Sequence, residues 1–397
     1  MNVRVNLLAI FVLSICSTCA HAQIDTVINL PENPNSPNPS EFSGDSIDSS
    51  FSNPIGILSN TQLNVSDGGT IGLSFEAGAE DVPNTNVEVN ISGGEVGSFF
   101  GAFSGSTVNI SGGEVGSFFD AESGSTVNIS GGTVGTSFGA FSSTVNISGG
   151  EVGFGFNANS GSTVNISGGE LGFGFTADSD STVNITGGIV GTDFDANSGS
   201  TVNISGGRVG IAFDANSGST VNISGGSVGS SFDANDGSTV NISDGIIGSD
   251  FDVRDGSTVN ILGGSFGDFF EVLAGGTVNI SGGSFADSFD ARSGSTVNLF
   301  GTEFFLNDTL IDASTLGETI TIFDRGDDVI LSGLFADGTR FDFDLNFGNV
   351  YSRTRDSFDS GATLTITRVV AVPEPGCGLT LATMSLVLLV RRRRALR

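Results

Sequence analysis

A five-residue string, Thr-Val-Asn-Ile-Ser, returns every nineteen residues through the middle of this chain, as at Thr107 to Ser111 and Thr126 to Ser130. With its Asn as origin the repeat falls at 90, 109, 128, 146, 165, 184, 203, 222, 241, 260, 279 and 298, and every interval is nineteen except 128 to 146, which is eighteen. A short fixed period marks stacked coils that each touch only their neighbours, so function is to be sought on a repeating surface rather than in a single pocket. Ten residues after each of the first eleven Asn stands a Phe, at 100, 119, 138, 156, 175, 194, 213, 232, 251, 270 and 289. The short repeat has Phe141-Ser142-Ser143 where others carry Asn-Ser-Gly-Ser. A turn absorbs such a deletion and a strand does not.

Within one repeat, Val108 and Ile110 alternate with Thr107, Asn109 and Ser111, the pattern of a strand with one apolar and one polar face, and Gly112-Gly113 then turns the chain. In the next extended segment Val115, Phe119 and Ala121 share a parity and Asp120 points the other way, before Glu122-Ser123-Gly124-Ser125 turns it again. Two strands and two turns make one coil of an all-β, parallel β-solenoid, with Val, Ile and Phe columns inside and Thr, Asn and Asp columns outside. No such coil holds enough apolar surface to fold alone, so stability comes from stacking. At roughly 4.8 Å per rung the twelve regular rungs form a rod about 55 Å long.

The remaining segments differ in character. Arg4, the apolar run Leu7 to Ile15 and Ala20-His21-Ala22 form an expected secretory signal over 1–22. Ile15 precedes Cys16 where a lipoprotein signal needs a small residue, which favours cleavage ahead of Gln23. Residues 23–60, with Pro31, Pro34, Pro37 and Pro39 among Ser, Asn and Asp, read as a flexible linker. Residues 61–88 read as a degenerate capping rung with an insertion, and 89–299 as the regular array. Residues 300–371, with alternation at Thr319 to Ile322, Arg340 to Asp344 and Thr363 to Thr367, read as a β-rich cap closing an edge that would otherwise template aggregation.

Beyond the expected signal the body has no His, Cys or Lys, since Cys16, Cys19 and His21 precede Gln23 and Cys377 lies in the tail. Disulfides, structural zinc, imidazole catalysis and thiol or amine nucleophiles are thereby excluded from it. Between residues 23 and 372 stand 8 Arg against 43 acidic residues, a net charge of −35. Such a surface repels nucleic acid and anionic lipid and attracts cations.

At the C-terminus Val372-Pro373-Glu374-Pro375-Gly376 leads into the apolar run Leu379 to Val390 and then Arg391, Arg392, Arg393 and Arg394. This order of elements resembles the PEP-CTERM sorting signal of exported bacterial proteins. The resemblance covers about the last 26 residues, 372–397. It implies that a membrane-embedded exosortase recognises Pro373, Glu374 and Pro375, cleaves nearby and delivers the protein to the cell surface or extracellular matrix. As a helix, residues 378–390 would span about 20 Å of a hydrocarbon core of about 30 Å, with the Arg cluster held as a stop-transfer signal on the cytoplasmic side. A permanent single-span anchor gives the same topology. The segment from Leu334-Phe335-Ala336-Asp337-Gly338 to Leu345 is also similar to a strand pair that precedes the tail in such proteins.

Three surface features invite function. The Asn column copies Asn-x-Ser glycosylation sequons, but a mid-strand position favours a stacked amide ladder, with its inward or outward direction left open. The Thr column from Thr107 to Thr296 is similar to the flat arrays of β-helical ice-binding proteins, although its second rank is Asn. Asp195, Asp214, Asp233 and Asp252 occupy one position in four successive rungs, with Asp120 and Asp290 at the same place elsewhere. Stacked carboxylates repel, and Ca²⁺ bridging would relieve this, yet the Gly139, Asn157, Thr176 and Glu271 of other rungs make a solvated acid row the simpler expectation. No other cofactor and no catalytic residue is expected. The leading expectation is therefore a non-enzymatic, exported, acidic structural or adhesive protein of the cell surface or matrix, with extracellular polysaccharide as its partner. The alternative is a glycan-binding or glycan-active β-helix, with ice binding behind it.

Overall fold

The computed structural model describes residues 24–32, 44–49, 55–79, 84–286, 288–312, 315–326, 328–346 and 356–371, and every regular element among them is a β-strand. They form a parallel β-solenoid of about 13 turns with rungs of about nineteen residues. The expected signal, the sorting motif and the apolar tail helix lie outside the described residues.

Each rung begins with the Thr-Val-Asn-Ile strand. In register, Thr201, Val202, Asn203 and Ile204 pair with Thr220, Val221, Asn222 and Ile223 of the next rung. In several rungs this strand runs on through the Gly-Gly step, as in Ser106–Val115, with register shifts where the Gly pair bends it. A Cβ on Gly113 would stand 2.6 Å from the Gly93 carbonyl oxygen, and its φ is +76°, so both space and backbone require glycine there. A short strand such as Phe213–Ala215 then stacks in a second parallel sheet on Phe194–Ala196 and Phe232–Ala234.

The alternation has the expected sense, with Val202, Ile204, Val209, Phe213 and Ala215 buried and Thr201, Asn203 and Asp214 turned outward. From Phe100 to Phe251 the core rings stack with centroids 4.6–4.9 Å apart and planes within 15°. At a rung step of about 4.8 Å, parallel rings are necessarily offset, the arrangement their quadrupoles prefer. The column breaks at Phe270, which meets Phe251 at 72° because Phe266 fills the place held by Val elsewhere. The deletion is confined to the turn: Thr126 still pairs with Thr144, and Ser142 at φ +47° takes the left-handed role of Gly124.

The solenoid extends past the regular array at both ends. Thr26–Leu30 pairs in parallel with Thr61–Val65, burying Ile28 and Leu30, so the stretch read as linker contains an additional rung strand. Three alternating residues before Pro31 are too short a run to stand out in sequence. At the other end the strand Thr296–Leu306 leaves the array to pair antiparallel with Ile330–Phe335, which pairs with Arg340–Asp344. The chain then returns as Ser357–Phe358 and Thr363–Arg368, stacked in parallel on the last regular rung. Thr365 thus sits above Asn298, 67 residues away rather than nineteen. Thr319–Thr321 covers the final edge in the antiparallel sense, and the Arg325 guanidinium donates to the Ile322 and Ala362 carbonyl oxygens at 2.7 and 3.4 Å.

Phe213 is fully buried between two stacked rings 4.7 and 4.8 Å away. Phe213→Ala is expected to cost about 3–5 kcal/mol in denaturant unfolding. An unchanged midpoint would place this column on the outside.

Candidate functional surface

The outward Asn side chains form a continuous amide ladder. Asn203 donates through Nδ2 to Asn184 at 2.9 Å and accepts from Asn222 at 2.9 Å, and the pattern runs from Asn64 bonded to Asn29, through the array, to Thr365 donating to Asn298 at 2.7 Å. The direction left open by sequence is thus settled: the amides lie on the outer, polar face and bond to one another. Each such amide spends one N–H and one lone pair on its column, and keeps a second N–H and a second lone pair for solvent or a neighbour, as Asn109 does toward Glu88 at 3.4 Å.

Asp195, Asp214, Asp233 and Asp252 are in register on the second sheet, followed by Glu271 and Asp290. Burial pushes Asp195 and Asp214 above the usual carboxylate range, with the neighbouring acids adding to it. Relief comes from within the chain. At four places the residue two positions after a ladder site donates diagonally to the acid of the preceding rung: Asn216 to Asp195 and Asn235 to Asp214, both at 3.4 Å beside shorter bonds of 2.9 and 3.1 Å along their own column, Arg254 to Asp233 at 2.6 Å, and Arg292 to Glu271 at 2.8 Å. Arg254 also reaches Asp252 at 3.3 Å, and Arg292 reaches Asp290 at 3.3 Å. These cations and amides offset part of the repulsion within the acid row. Among the described residues no group of three or more His, Cys, Asp or Glu is arranged to hold a metal ion.

Asp252 and Asp120 are among the acids without such a diagonal donor. The residue that would serve Asp252 is Leu273, and the one that would serve Asp120 is Phe141. Asp252 is pushed up to about 6 by burial and by Asp233 and Glu271, against the opposing effect of Arg254. Asp120 is pushed up to about 6 by burial and by Glu122. A Cβ on Gly139 would lie 2.5 Å from the Phe141 ring and 2.7 Å from an Asp120 oxygen, so ring and carboxylate crowd together above that glycine.

Chemically the row is a line of carboxylates on an open sheet. Open depressions lie elsewhere, at the C-terminal end, one lined by Thr321, Phe323, Arg325 and Ser360 and one by Glu303, Phe305, Arg340 and Asp342. Sequence reasoning missed the diagonal donors, although their signal was present as Asn216, Asn235, Arg254 and Arg292 recurring at one position of the period. Pro373, Glu374, Pro375 and Arg391 to Arg394 lie outside the described residues. Among the described residues no helix is long and apolar enough to cross a membrane. No protein-family model matches the chain, and no curated protein is significantly similar to it.

A carboxyl group with a raised pKa binds its proton more tightly in the folded state. The folded protein is therefore relatively stabilised at low pH and loses that stability as pH rises from about 4 through about 6. Asp120→Asn is expected to flatten this dependence and to raise stability at pH 7.5 by on the order of 1 kcal/mol, allowing for solvent screening. Asp233→Asn, which removes the closest carboxylate of Arg254, is expected to lower the melting temperature. Equal effects of the two substitutions in thermal melts would contradict the diagonal pairing.

Proposed function

We propose that this protein is an exported, non-enzymatic acidic rod that serves as a structural or adhesive element of the cell surface or extracellular matrix. The observation that carries the reading is the Pro373-Glu374-Pro375 motif followed by an apolar run and Arg391 to Arg394, joined to a body without His, Cys or Lys. A solenoid of self-satisfied columns supports a role in spacing and presentation: its amides bond to one another and its acid row is bridged from within. The net charge of −35 over residues 23–372 keeps such rods apart and hydrated and favours cationic partners. The exosortase-type enzyme is the processing partner on this reading, and the apolar tail is the transient membrane anchor.

Changing Pro373 and Pro375 together to Ala in the native host tests it. The variant is expected to remain in the membrane fraction with its Arg tail, while the wild type is recovered outside the cell or on its surface without Arg391 to Arg394 by mass spectrometry. Intact wild-type protein held in the membrane and ending at Arg397 would replace sorting by simple anchoring.

A further inference from the structure

One corner of the first five regular rungs concentrates exposed aromatic rings, where a later rung has a single exposed Ile211 at the same turn. In that corner Phe99 and Phe118 are 42% and 46% exposed and stacked at 4.8 Å, while Phe154 and Phe173 are 47% and 54% exposed and stacked at 4.9 Å. The four share one turn at two successive positions of it, Phe99 and Phe118 standing where later rungs have Ser137 and Gly155, and Phe154 and Phe173 one place earlier, where the preceding rung has Thr136: Phe118 N–H donates to the Thr136 carbonyl, Ser137 N–H to that of Phe154 and Gly155 N–H to that of Phe173. They are additional to the buried Phe100, Phe119, Phe156 and Phe175 of the same rungs.

Phe99 and Phe118 also hold left-handed backbone, at φ +62° and +59°, where other rungs place Ser137, Asp193, Ala212, Ser231 or Asp250 and only the rung of Phe269 repeats a ring among the described residues. A bulky side chain in that region is costly, and an exposed one regains little from the core. The ring-on-ring stacking offsets part of that cost, and what remains singles this corner out as a surface to be tested for function.

On the strand leading into this turn, three or four residues before the rings, stand Glu95, Glu114, Glu151 and Glu170, all exposed, with Glu95 in register with Glu114 and Glu151 with Glu170. From residue 23 to residue 207 the chain has 20 acidic residues and no Lys or Arg, so no cation of that half can neutralise them.

We propose that this corner is a docking strip for a basic amphipathic α-helix of a partner protein, lying along the rod with its apolar face on the four rings and its Lys or Arg on the four glutamates. A helix advances about 5.4 Å per turn, close to the rung step of about 4.8 Å, so one apolar side chain per turn meets one rung. An extended strand presents same-side residues about every 6.8 Å and falls out of step within two rungs. Phe99 to Phe173 spans four rung steps, about 19 Å, the length of about 13 helical residues. A second copy of this chain is disfavoured as occupant, because it would bring two uncompensated acidic faces together. The inference is independent of the tail and of export.

The probe is a fluorescent 14-residue Leu/Lys peptide with a helical apolar face, titrated into the full-length protein and read by anisotropy. Its controls are a scrambled peptide of equal charge and an amine-bearing oligosaccharide. Variants borrow residues that other rungs carry at the same positions, Phe118→Ser with Phe173→Thr, and Glu114→Thr. Phe118→Gly, which relieves the left-handed backbone, serves as a second variant that keeps the fold. Saturable binding is expected, weakened about tenfold or more by the ring variants and by scrambling, with unchanged circular dichroism. Equal binding of the scrambled peptide, or affinity indifferent to the rings, would overturn the proposal in favour of diffuse charge attraction. Absence of peptide binding would overturn it too. Ring-dependent self-association in sedimentation, or ring-dependent binding of the oligosaccharide alone, would assign the strip to a second copy or to a glycan instead.

Discussion

Backbone hydrogen bonds between rungs fix a repeat of about 4.8 Å along the rod, and every side-chain choice in the array answers to that spacing. Identical residues then stand above one another. For amides and aromatic rings this is favourable, since an amide both donates and accepts and rings settle into offset stacks. For carboxylates it is unfavourable, because like charges are held within about 5 Å. The Asn and Phe columns accordingly run with few breaks, whereas the Asp column is interleaved with Asn216, Asn235, Arg254 and Arg292 reaching diagonally from the next rung.

That asymmetry also explains what was legible in the sequence. The regular rungs were plain because Val108, Ile110 and Phe119 repeat at a fixed period and parity. The rung strand at Thr26–Leu30 was hidden because a single short alternation before a proline-rich stretch has no period of its own. The returning strand Thr363–Arg368 read as a closing strand, but its place as a further parallel rung was obscured by the excursion from residue 300 to residue 356. The diagonal donors went unnoticed because the acids and their partners occupy different positions of the repeat, and only the fold brings residues 21 apart together. The exposed rings were overlooked because one Phe per rung sufficed for the core, although the doublets Phe99-Phe100 and Phe118-Phe119 exceed that need.

The rod is thus not uniform along its length. Its N-terminal half combines exposed rings at Phe99, Phe118, Phe154 and Phe173 with glutamates that have no cation in their own half. Its C-terminal half carries most of the acid row, from Asp214 to Asp290, bridged by Arg254 and Arg292. A partner's positive charge is therefore offered more to the first half than to the second, where the chain has supplied its own.

The central claim is the in-register stacking of nineteen-residue rungs, and distance measurement tests it most directly. With Cys16, Cys19 and Cys377 replaced by Ser, spin labels can be placed in pairs at Thr201 with Thr258, Thr277 or Thr296, which lie three, four and five rungs apart in one outward column. Pulsed electron paramagnetic resonance is expected to give distances of about 14, 19 and 24 Å, rising by one rung step each time. Distances that do not rise in equal steps, or broad distributions without a resolved maximum, would contradict the account.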